Sequence, residues 1–186
     1  MLRRYSYRNF RGRSSKYSNE TIAFNTQVTD ELDGGVTFPA QGEEPNIVRG
    51  IGIVPPTNVL GNRKCKNFTI KLTAHGNDDQ IFGALVYVPE GTKASELLCT
   101  GLTQSLYEPN QNVIATFIIP PNCFRNTDKE ITHLSAPQQI VVTSKLARNL
   151  NTGDLIALVF CSPNGLTATE NEPVVISGSI NFAIKY

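Results

Sequence analysis

The chain holds 186 residues, 40% hydrophobic and 18% charged, which suits one packed domain and excludes a disordered polar chain. Its formal charge of +1 joins two opposite parts: six of 17 basic residues and none of 16 acidic ones fall within residues 1–18, leaving a body of −5. No apolar run reaches the roughly 18 residues a membrane-spanning helix needs, and the N-terminus lacks the apolar stretch of a secretory signal.

Residues 1–18 read MLRRYSYRNFRGRSSKYS. Arg3, Arg4, Arg8, Arg11, Arg13 and Lys16 are interleaved with Tyr5, Tyr7, Phe10 and Tyr17, and such a segment cannot bury a core of its own. Guanidinium groups grip phosphate bidentately, and aromatic rings offer faces on which unpaired bases stack. The segment is expected to be a flexible basic arm for a polyanion, chiefly single-stranded nucleic acid. Six phosphate contacts to a single strand give a salt slope of about −4. An organelle transit peptide and a plain solvated tail share this composition, but Gly12 and the tyrosines interrupt any apolar helical face.

Residues 19–186 read as strands in sequence order. Segments 21–28 and 47–54 are weakly patterned, whereas 64–72 alternates: Phe68, Ile70 and Leu72 oppose Asn67, Thr69 and Lys71. Segments 81–88, 113–119 and 155–161 are short apolar runs bounded by Gly, Pro, Asn or Asp, and 139–144 is a further weak strand. Alternation is clearest at 174–186, where Ile176, Ile180, Phe182 and Ile184 share one face. Only Ser95-Glu96-Leu97-Leu98 offers a helical turn. These patterns predict an all-β fold: a single jelly-roll sandwich of eight antiparallel strands in two sheets, residues 19–186, behind the arm at 1–18. Arg63, Lys64 and Lys66, followed by Lys71, form a second basic cluster. It can extend the arm's nucleic-acid surface, or equally guard a strand edge by charge.

Groups for catalysis are scarce. His75 and His133 each stand alone, short of the two or three histidines and a carboxylate that a metal-dependent sandwich enzyme uses. Asp78-Asp79 and Glu43-Glu44 are sequence neighbours suited to solvated loops, and Gly50-Ile51-Gly52 lacks the rest of a dinucleotide fingerprint. Cys65, Cys99, Cys123 and Cys161 contain no close pair and suit buried free thiols. No catalytic residue, cofactor or metal site is expected.

Three segments carry a resemblance: VYVPEGT at 86–92, SLYEPNQNVI at 105–114 and RNLNTGD at 148–154. In this order they resemble capsid proteins of small circular single-stranded DNA viruses that encode a replication initiator, the circovirus-like group. The resemblance implies a jelly roll that assembles into an icosahedral shell of about 60 identical copies, related by closed rotation axes. It further implies an arm turned inward onto a single-stranded DNA genome, location in the virion, and passage through the host nucleus during assembly. The host cell-surface receptor is left unidentified. Arg3, Arg4, Arg8, Arg11, Arg13 and Lys16 match the family's arm by character and place. This arm is shorter and poorer in arginine than that of circoviruses proper. The alternative from another class is an oligomeric binding module, lectin-like or cytokine-like, with a dispensable tail.

Overall fold

The computed structural model describes residues 16–28, 36–37, 50–92, 94, 112–128, 130–162 and 174–186. Its twelve strands are β1 (Ser18–Val28), β2 (Val36–Thr37), β3 (Gly50–Val54), β4 (Arg63–His75), β5 (Ile81–Val88), β6 (Val113–Ile119), β7 (Cys123–Arg125), β8 (Ile131–Leu134), β9 (Ile140–Ser144), β10 (Arg148–Leu150), β11 (Leu155–Cys161) and β12 (Val174–Lys185). Each of the eight segments expected from alternation and apolar runs holds a strand among its described residues; positions 47–49 of the second lie outside them. Where eight strands were expected, the described residues hold twelve, because β2, β7, β8 and β10 have two to four residues each, too few to show a period. Arg3, Arg4, Arg8, Arg11, Arg13, the expected helical turn at 95–98 and residues 105–111 of the middle motif lie outside the described residues.

Two sheets face each other. The first runs β1-β12-β4-β10, with β9 pairing the same edge of β4 further along, and the second runs β2-β3-β11-β5-β6. A separate hairpin joins β7 to β8. Among the described residues one pairing is parallel, the two-residue β2 on β3; the others are antiparallel. The core lies between the sheets. Phe24, Phe68, Ile70, Leu72, Ile176, Ile180 and Phe182 come from one side and Ile51, Ile53, Ile81, Leu85, Phe117, Ile156, Leu158 and Phe160 from the other. Burying side chains of this size contributes roughly 1.5–3 kcal/mol each, which is what holds the layers together.

The second sheet is dry on both sides at its centre. Ala84, Val86 and Val88 of β5 and Ala157 and Val159 of β11 form a separate buried cluster with Ala94 on the face away from the core. Burial of both faces explains why β5 and β11 are continuous apolar runs instead of alternating ones.

The first sheet alternates, but its parity changes within β4. Arg63 and Cys65 are buried, and so are Phe68, Ile70, Leu72 and Ala74. The switch from odd to even occurs at Asn67, whose φ of 57° places it in the left-handed region. There the pairing slips between Asn181 and Ala183 of β12, so that β4 carries one extra residue. This is a β-bulge, with asparagine at the position where L residues other than Asn or Asp are strained.

Candidate nucleic-acid interface

The bulge decides the direction of the lysines. An uninterrupted period of two would have put Lys64 and Lys66 on the core side with Phe68. With Asn67 inserted, they share the outer face with Thr69 and Lys71. Register then lines up that face row by row. Lys64 is flanked by Lys185 of β12 and Asn149 of β10. Lys66 is level with Ala183 and, one strand on, Asn19. Thr69 is level with Asn181, Thr21 and Thr143, and Lys71 with Ser179, Ala23 and Val141. Thr73 and His75 close the face opposite Ser177 and Val175, with Asn25 and Gln27 beyond. None of these positions is acidic, in a body that is −5 as a whole.

Hydrogen bonds tie the neutral side chains into a ladder. The Thr21 hydroxyl donates to Asn181 Oδ1 at 2.6 Å, and the Ser177 hydroxyl to Asn25 Oδ1 at 2.8 Å. Lys64 and Lys71 are exposed, and Lys66 and Lys185 are half-buried. The arm enters at the lysine-rich end. Tyr17 lies against the sheet with Lys66 Nζ 3.9 Å from the centroid of its ring, a cation–π contact, and Lys16 beside it is exposed. Tyr186, next to Lys185, is 78% exposed at the same end.

Arg63 is a correction to the expected basic cluster. It is 7% exposed, its Nη1 donates to the Pro55 carbonyl at 2.7 Å and its Nη2 to the Asp154 carbonyl at 3.1 Å. With its donors turned inward it clamps the loop after β3 to the start of β11 and offers nothing to a phosphate. Its charge also reaches Cys65, whose thiol burial pushes up to about 11 while Arg63 pulls the other way. Sequence could not show this, because the accepting carbonyls are contributed by distant residues. Lys185 was missed for the same kind of reason: only the register of β12 brings it to Lys64.

A second polar arrangement joins two of the three resemblance segments. Asp154 is buried; its Oδ2 accepts from the Tyr87 hydroxyl at 2.6 Å and the Asn151 backbone N–H at 2.7 Å, and its Oδ1 from the Glu90 N–H at 3.1 Å. Burial, then the hydrogen bond to Asp154 and its charge, push Tyr87 up to about 12, against a smaller pull from Arg148. Gly153 completes the turn at φ 82°, where an added Cβ would strike the Glu90 side chain. The segments 86–92 and 148–154 therefore meet in a buried turn lock whose groups are committed to one another.

Among the described residues neither histidine is part of a constellation. His75 ends β4 on the exposed face, and His133 is exposed on the β7–β8 hairpin with its ring centroid 6.1 Å from that of Phe124. Among the described residues no group of three or more His, Cys, Asp or Glu could hold a metal ion. Cys65 is a buried free thiol, and Cys123 is buried. Compared with known proteins, the chain matches no family model and no curated relative.

Proposed function

We propose that the chain is a viral coat protein: a jelly roll that assembles into a closed icosahedral shell of about 60 copies and packages single-stranded DNA with its basic N-terminal arm. The supporting observation is the distribution of charge on the fold. Positive charge is concentrated in the arm and on the one sheet face where that arm is rooted, at Tyr17 on Lys66, while the rest of the body is anionic. Strand order supports the jelly-roll assignment. Counting only the eight longer strands in chain order, one sheet reads first, eighth, third, sixth and the other second, seventh, fourth, fifth. Two interleaved Greek keys produce these orders. The protein would reside in the virion and pass through the host nucleus during assembly.

The test is size-exclusion chromatography and negative-stain microscopy of the purified chain across a range of salt. Uniform closed shells are expected. Monomers or small rings under every condition would overturn the proposal and favour the binding-module alternative. Removing residues 1–15, which leaves Lys16 and Tyr17 on the body, is expected to lower the nucleic-acid content of the shells sharply. Unchanged content would remove the arm from the packaging role.

A further inference from the structure

We propose that the outer face of the β1-β12-β4-β9 sheet is itself a binding surface for single-stranded nucleic acid, continuous with the arm and separate from it in residues. This deepens the coat-protein proposal and rests on it. Lys64, Lys66, Lys71 and Lys185 supply the charge; the Thr21–Asn181 and Asn25–Ser177 ladder lines the rest of the face with donors and acceptors. Among the described residues, these four lysines have no acidic residue at any position of the face, which makes it a segregated patch. Its row geometry suits a chain of phosphates. Lys64 and Lys185 lie on neighbouring strands about 4.8 Å apart, and Lys66 is one outward position further along, about 6.7 Å.

Single strands fit better than duplex. Among the described residues the face is a sheet with no helix or ribbon projecting from its rows to enter a groove, which sequence readers of duplex DNA require. At its lysine-rich end stands an aromatic ring, that of Tyr17, with Lys66 Nζ over its face. Rings of this kind stack on bases only when those bases are unpaired. Each lysine that neutralises a phosphate of a single strand adds about −0.7 to the slope of log K against log salt. The four together account for about −3, and the six arm residues for about −4.

The experiment uses the full chain and a dT oligonucleotide with fluorescence anisotropy at several salt concentrations. The variant Lys64→Gln, Lys66→Gln, Lys71→Gln, Lys185→Gln is expected to flatten the slope by about 3. Arginine at the same four positions restores it, which a merely structural role would not do. Tyr17→Ala is expected to weaken binding roughly tenfold with the slope unchanged, because stacking releases no counterions. Glutamine at Arg3, Arg4, Arg8, Arg11 and Arg13 is the parallel arm variant. If it flattens the slope while the sheet variant does not, the sheet proposal fails and the coat proposal stands. If neither variant changes binding, both fail. Equal or tighter binding of a duplex of the same length overturns the assignment to single strands. Surface Lys→Gln changes of this kind cost little stability, and circular dichroism of each variant confirms that the fold is intact.

Discussion

At Asn67 the backbone of β4 passes through φ 57°, and one residue is left over in the pairing with β12. Asn67→Gly is expected to keep the bulge, since glycine takes that conformation without strain. Asn67→Val forces a β-branched residue into the left-handed region and costs about 1–2 kcal/mol; urea denaturation reads the difference. Loss of the bulge would do more than destabilise: it would swing Lys64 and Lys66 inward and turn Arg63 and Cys65 out. Asp154 is the other single residue on which much depends. Asp154→Ala strands the Tyr87 hydroxyl and the Glu90 and Asn151 N–H groups and is expected to cost about 3 kcal/mol. Tyr87 and Cys65 make the fold sensitive to alkali. Cys65 stays protonated in the fold to higher pH than in the unfolded chain, so its contribution is full below pH 9.0 and is lost as pH approaches about 11. For Tyr87 the corresponding window runs from 10.0 to about 12. Denaturation midpoints measured through pH 9–12 are expected to fall, and Tyr87→Phe is expected to remove the upper part of that fall.

Among the elements, close packing within each sheet rests on one glycine. A Cβ on Gly83 of β5 would lie 2.2 Å from the Phe117 ring, which packs edge-on against Phe160 at 6.3 Å. A Cβ on Gly178 of β12 would lie 2.2 Å from the Lys71 backbone oxygen. A ring can rotate away and a backbone carbonyl in a ladder cannot, so Gly178→Ala is expected to lower the melting temperature more than Gly83→Ala, itself costing about 1–3 kcal/mol. Much of the element map was legible in the residues. The alternation of 174–186 and the short apolar runs at 81–88, 113–119 and 155–161 name strands directly, because side-chain direction has a period of two and fully buried strands have none. What stayed hidden depends on pairing. The bulge is one asparagine among many, β10 is three residues long, and the approach of Lys185 to Lys64 needs the register of β12 on β4. Arg63 read as a surface cation because nothing local names the carbonyls of Pro55 and Asp154 as its partners.

For the molecule as a whole, the two sheets have unequal roles. The β3-β11-β5-β6 side is apolar on both faces at its centre, and the β1-β12-β4 side is apolar within and hydrogen-bonding without. Such a body has a wet front on which its cations collect. In copies tiled edge to edge with these fronts turned the same way, like charge meets like charge and every added neighbour raises the electrostatic work of closure. Relief comes from dissolved salt or from an anionic thread laid across the fronts. For the proposed shell, hollow particles are therefore expected to need concentrated salt to form, and to open when it is dialysed away, whereas filled ones persist; light scattering during dialysis distinguishes the two. Cargo, on this account, is the mortar of the wall it sits behind.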